Sequence, residues 1–352
     1  MKEKQEFSLN RIFDYRAEIF GLSALMIVYH HLGNRGFPGI DLLPGFIANT
    51  ITFVLSKAYL GVDVFVFLSA IGLCSSMSRN SVKDFYVHRL LRVGITWILI
   101  MTPVFVYEDI LNSQGGVAGF LLDVSTLRYW VDHSHYNTPW FVPFIMALYL
   151  IFPLVYKLDI KTKHISTVAF FLLSTGFVIF SQFYTTAFYT DFTFPLSRLP
   201  IFFFGVSIYK YIIDGAEIKK SLMYVFTAIV LALYIMWSFL DLEDGLDKLC
   251  ASVIAFGFVM IYSCFRCAIN ITWITKALAF IGAVSLEMYL IHHGVILRAI
   301  DGYNVPNLLF ASMYILLPLI SLALSMVYSY LSKKLQALIL KNSKQIETSK
   351  AE

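Results

Sequence analysis

Apolar residues run through this chain in ten long blocks, at approximately 17–34, 58–77, 93–111, 140–156, 165–183, 196–213, 222–240, 249–267, 277–297 and 308–332, parted by short polar stretches. Each block is close to the roughly 20 residues an α-helix needs to cross the hydrocarbon core. The pattern predicts an all-α membrane protein, a polytopic bundle of about ten transmembrane helices. A further apolar run at 44–56 reads as an interfacial or re-entrant piece. The polar stretch 341–352 reads as a disordered tail, which leaves 1–340 as one transmembrane domain. A basic flank precedes the first block, but no small-residue cleavage site follows it. That predicts a retained helix rather than a removed signal peptide.

Composition narrows the class. With 58% hydrophobic and 14% charged residues, the chain is far more apolar than a soluble globular domain, and its expected partner is the lipid bilayer, not nucleic acid. The four cysteines are too few for a disulfide framework. Cys264-Phe-Arg-Cys267 has a metal-like spacing, yet no second pair completes a four-ligand site, so no metal is expected. Basic residues set the orientation. With ten spans and both termini cytoplasmic, 21 of the 27 lysines and arginines fall on the cytoplasmic side; Arg35, Lys57, Arg128, Arg198, Lys248 and Arg298 remain outside. The longest outer loop, 112–139, contains Asp132-His-Ser-His135 and is placed to cover an outward-facing site.

Against this apolar background a few polar residues stand out, because ionisable groups inside a bilayer are costly and by default functional. The first helix carries His30-His31 near its outer end, roughly 22 Å beyond Arg16 at the helical rise. The second runs inward and brings Asp63 to a similar depth. A carboxylate and a histidine at one level form the base-plus-orienter arrangement of general-base catalysis. The alternative is that Asp63 pairs with Lys57 or caps a helix start. Arg89 and Arg92 share a helix face at the cytoplasmic end, suited either to gripping phosphate groups or to setting topology against lipid headgroups. Arg198 and Trp140 begin inward helices near the outer surface, where an anchor and an aromatic belt residue are expected anyway. Glu287 lies near mid-helix, with His292 about one and a half turns beyond. A buried glutamate must be paired or protonated, and Arg198 or a histidine is the expected partner.

Several of these pieces recur in a known order: Gly21-Leu-Ser-Ala-Leu with His31 ten residues after the glycine; Gly61-Val-Asp63-Val-Phe-Val-Phe-Leu-Ser69; Phe85-Tyr-Val-His-Arg89-Leu-Leu-Arg92. They continue with Trp140-Phe, Tyr149-Leu-Ile-Phe-Pro153, Arg198-Leu-Pro-Ile-Phe-Phe-Phe-Gly205 and Gly282-Ala-Val-Ser285-Leu-Glu287-Met-Tyr289-Leu-Ile-His292. In this the chain resembles the acyltransferase-3 membrane proteins, which O-acylate cell-surface polysaccharides, lipids and some small molecules. The resemblance extends from about residue 16 to 297. It implies a multi-pass protein of the bacterial cytoplasmic membrane that moves an acyl group, acetyl above all, from cytoplasmic acyl-CoA to a hydroxyl of an extracytoplasmic polysaccharide or lipid-linked sugar, with no tightly bound cofactor.

By the same resemblance His31, rather than His30, is the essential histidine, acting as base or transient acyl carrier with Asp63 beside it. Arg89 and Arg92 serve the acyl-CoA side and Ser69 lines the site. Trp140, Arg198, Glu287 and His292 support the acceptor side. The arginine that often precedes the glycine is Phe20 here, so Arg16, one turn earlier, is assigned its place. The usual Ser-Gly of the second motif is Ser69-Ala70. A rival from another class is a proton-coupled secondary transporter using His31, Asp63, Glu287 and His292 as a relay. It predicts an internal repeat, and none is visible.

Overall fold

The computed structural model describes residues 6–131, 139–182, 194–240, 242, 244–268, 271–301, 303 and 305–349. Its main helices are α1 (Arg16–Gly33), α2 (Gly45–Lys57), α3 (Leu60–Met77), α4 (Val82–Phe105), α5 (Gly116–Val124), α6 (Phe141–Lys161), α7 (Ile165–Gln182), α8 (Leu199–Ile213), α9 (Lys220–Trp237), α10 (Asp244–Ala268), α11 (Thr272–Ala283), α12 (Ser285–Tyr289) and α13 (Asn307–Ser349). α4 runs on as a π-helical turn, Val106–Leu111, and α12 as another, Leu290–Leu297. Among the described residues the only β-structure is an antiparallel ribbon of β1 (Glu6–Ser8) and β2 (Glu217–Lys219), with Phe7 opposite Ile218. The hydropathy pattern gave no sign of it, since three-residue strands are too short to show a period.

Each of the ten apolar blocks is helical, but fewer qualify as spans. Among the described residues seven stretches are long and apolar enough to cross a membrane, and eight if the run from Thr272 to Ile300, broken at Val284, counts as one. The physical reason is visible in α1, whose 18 residues include Arg16, Glu18, His30 and His31, and in α7, which is apolar but short. The stretch 44–56 is the helix α2. α13 continues to Ser349, so the polar end read as disordered is helical through that residue; nothing after Pro318 breaks it.

The chain falls into two compact units, each assembled from two segments: Met1–Arg79 with Leu154–Ala283, and Asn80–Pro153 with Val284–Glu352. In the first unit α3 is the core helix, buried on nearly every side, as expected of a helix apolar all round. α1 lies so close to α11 that Gly21 and Gly282 face each other: a methyl group on Gly21 would stand 2.7 Å from the Leu278 carbonyl carbon, and one on Gly282 would stand 2.9 Å from the Gly21 nitrogen. On the other flank of α3, Gly205 of α8 packs on Ala70. Aromatic rings fill the space between α7, α8 and α10, with Phe170 on Phe203 at 5.3 Å and Phe204 on Phe256 at 4.9 Å.

In the second unit α4 starts at a Ser81 cap whose hydroxyl accepts from the Asp84 amide at 3.1 Å and donates to its carboxylate at 2.6 Å. α4 packs against α13, where the Thr96 and Ser332 hydroxyls meet at 3.0 Å.

Candidate functional site

Both units carry candidate residues, and the resembling motifs meet in pairs within each. In the first unit the His30 ring lies between α1 and α2. Nδ1 is 3.1 Å from the Leu55 carbonyl and Nε2 is 3.1 Å from the Asn34 side-chain nitrogen. A carbonyl only accepts and an amide NH2 only donates, so His30 is held as the neutral Nδ1–H tautomer with both nitrogens engaged. His31 is the next residue, its ring 5.6 Å from that of His30, and its carbonyl accepts from Arg35 Nη1 at 2.9 Å.

Among the described residues Asp63, fully buried in α3, meets neither a histidine nor Lys57. Oδ1 accepts from the Ser252 hydroxyl at 2.8 Å, and Oδ2 stands 3.5 Å from Nη1 of Arg198. Arg198, at the start of α8 with Pro200 just inside the first turn, is itself buried at 1% exposure. The two motifs that carry Asp63 and Arg198 are thus joined by an ion pair across α3 and α8. Lys57 instead pairs with Asp247, which also accepts from the Tyr59 hydroxyl, from Trp237 Nε1 at 2.8 Å and from Lys248 Nζ at 3.3 Å. Tyr59 links the groups. Its ring meets His30 edge-on at 5.5 Å, while the Arg198 guanidinium carbon lies 5.4 Å and Lys248 Nζ 3.7 Å from its centre. Ser69 is half-buried two turns along α3, and Arg16 lies over the Phe13 ring at 5.5 Å.

In the second unit the Arg89 motif packs on the Tyr149 motif. Arg89 donates to the Tyr149 hydroxyl, Phe85 stacks on Phe152 at 5.9 Å, and the Tyr86 hydroxyl donates to the Leu150 carbonyl at 2.7 Å. Arg92, three residues on, is exposed. Glu287 is buried, and the positive charges acting on it are those of Arg92 and Lys333, not the expected Arg198 or a histidine, since Arg198 serves Asp63. His292 sits inside the π-helical turn, where Nδ1–H donates to the Met288 carbonyl at 2.6 Å. Trp140 packs at 6.1 Å on both Phe141 and Phe144.

Three charged side chains between residues 109 and 128 form a further group. Arg128 donates to Asp109 at 2.6 Å and to Asp123 at 2.7 Å, with all three nearly inaccessible. Burial pushes the Asp123 carboxyl up to about 6; the Arg128 guanidinium opposes the rise and the second carboxylate, Asp109, adds to it. Beside it Glu108 takes a two-pronged bond from Arg298. The Asp132-His-Ser-His135 segment lies outside the described residues.

Tyr59, Asp247, Ser252 and Tyr149 join the candidate residues here. Tyr149 stood within a recognised motif but had no role until the fold set Arg89 against it. Among the described residues no cluster of three or more metal-ligating side chains occurs. The first unit offers a histidine with a neighbour pinned as neutral and a buried guanidinium paired with a carboxylate; the second offers an arginine pair suited to phosphate.

A family model described as an acyltransferase domain matches residues 21–332. No curated protein and no solved structure matches.

Proposed function

Given that the chain belongs to the acyltransferase-3 family, we propose that it is a membrane O-acyltransferase that moves an acyl group, acetyl in the first instance, from cytoplasmic acyl-CoA to a hydroxyl of an extracytoplasmic glycan or glycolipid. In this reading ten helices cross the bacterial cytoplasmic membrane with both termini inside. The acyl-CoA phosphates meet Arg89 and Arg92, and Tyr149 steadies Arg89 from behind. The thioester meets His31, which takes the proton of the acceptor hydroxyl as it attacks, or carries the acyl group in passing.

The observation that carries the assignment to His31 is the state of its neighbour. Both ring nitrogens of His30 are committed to Leu55 and Asn34, which suits His30 to holding α1 against α2 and not to exchanging protons. The test is transfer of label from radiolabelled acetyl-CoA in membranes containing the protein, with and without acceptor glycan. Loss of transfer in His31→Ala, at normal membrane levels, is the expected result. Full transfer by that variant refutes the assignment, and no transfer by the unaltered protein with any acyl-CoA refutes the function.

A further inference from the structure

The guanidinium of Arg198 has more hydrogen-bonding capacity than its surroundings take up. It is buried, its nearest carboxylate oxygen is 3.5 Å away, and neither Nε nor Nη1 meets a hydrogen-bond acceptor among the described residues. Native interiors rarely leave such donors open, and a cationic donor least of all. Aromatic faces flank the group, Tyr59 at 5.4 Å and Phe194 at 5.9 Å, so the surroundings are of low polarity and magnify any charge placed there. The same Tyr59 ring touches His30, the residue next to the proposed base.

The kind of oxygen that fits follows from charge. A full carboxylate or phosphate is strongly hydrated and would have to shed that water to reach a pair with 0% and 1% side-chain exposure. A carbonyl oxygen enters neutral and becomes negative only as the reaction proceeds. Preorganised donors aimed at charge that develops in the transition state are the largest single source of catalysis in acyl transfer.

We infer that Arg198 is the oxyanion-binding residue of the acyl-transfer site, with Asp63 and Ser252 as its positioning residues; the inference rests on the acyltransferase reading. As the acceptor oxygen forms its bond to the acyl carbon, its proton passes to His31 and the carbonyl π-pair moves onto the carbonyl oxygen. That oxygen accepts from the Nε–H of Arg198, on the edge of the guanidinium away from Nη1, which faces Asp63. When the π-bond re-forms, the C–S bond breaks and the CoA thiolate leaves, taking the proton from the His31 imidazolium. The guanidinium ends as it began.

Two variants of the full chain, reconstituted in lipid, separate this role from a structural one. Arg198→Lys keeps the charge opposite Asp63 but loses the Nε–H donor. The double variant Asp63→Leu/Arg198→Met replaces the pair by apolar groups of similar size, a change that interiors commonly tolerate. Both are expected to insert and to unfold near the temperature of the unaltered protein. Removing one oxyanion donor typically lowers kcat by about 10²- to 10³-fold, and that loss is expected in both, with KM for acetyl-CoA within about threefold because the bond forms only in the transition state. A folded variant of either kind with kcat within about threefold of the unaltered protein overturns the inference while leaving the acyltransferase reading intact. Failure of both to insert assigns the pair to structure and overturns it too. Absence of transfer by the unaltered protein refutes the function itself, and this role with it.

Discussion

Substituting Gly21 by alanine adds one methyl group at the point where α1 lies closest to α11. That methyl would stand 2.7 Å from the Leu278 carbonyl carbon and 3.1 Å from the Gly282 nitrogen, where uncrowded carbon contacts lie at roughly 3.5–4.0 Å. The obstacle is backbone, with no side chain to swing aside, so the helices must part by about 1 Å. Overpacking of this kind costs about 1–3 kcal/mol. Gly94, inside α4, is the control: a methyl there meets nothing within 4 Å, and replacing a helical glycine by alanine gains up to about 1 kcal/mol. The two substitutions are chemically the same and are expected to move stability in opposite directions. The assay is the thermal unfolding midpoint of the purified full chain in one detergent. Activity adds a second reading, because α1 carries His31 ten residues on, and a shift of about 1 Å at a reacting group can lower the rate about 10²-fold. If Gly21→Ala unfolds at or above the temperature of Gly94→Ala, the close approach of α1 and α11 is wrong and the reasoning fails.

His30→Ala, which removes a ring bonded at both nitrogens, is expected to cost about 1–3 kcal/mol in detergent unfolding while retaining more transfer than His31→Ala; equal loss of activity would mean the pair acts as one group. Tyr149→Phe, which deletes the hydroxyl that accepts from Arg89, should raise KM for acetyl-CoA severalfold with little change in kcat, measured by steady-state transfer. The Asp123 carboxyl, pushed up to about 6 by burial, holds a proton in the fold that the unfolded chain releases near pH 4. Stability should therefore fall as pH rises from about 4 to about 6, by at most about 3 kcal/mol, and Asp123→Asn should flatten that part of the profile of unfolding midpoint against pH.

Much of the fold was legible because lipid leaves the backbone few options: a long apolar block must be helical, and all ten blocks are. The number of true spans was harder, since α1 mixes two charged side chains and two histidines into its 18 residues and hydropathy cannot separate a functional helix from a marginal one. Spacing picked out Asp63, Arg89 and Arg198 as unusual, but not their partners. Arg198 follows Asp63 by 135 residues, and no local pattern encodes a contact at that distance. The same holds for Lys57 with Asp247, where the nearer reading had been Asp63. The π-helical turn around His292 and the Arg128 clamp left no mark on hydropathy at all, because both depend on which carbonyl or carboxylate the fold brings up to meet them.

The separation between Asp63 and Arg198 has a meaning for how the protein is made. At about 5–20 residues per second, the ribosome needs roughly 7–27 s to pass from one residue to the other. Throughout that interval the helix with the aspartate is already synthesised and its arginine does not yet exist. A newborn span with an uncompensated carboxylate is poorly suited to lipid, so until α8 emerges α3 either carries Asp63 protonated or stays sheltered by the insertion machinery or by α1. Chains arrested before residue 198 would then present α3 as a recognisable flaw, and membrane proteases that survey such helices would clear them before a complete bundle could compete.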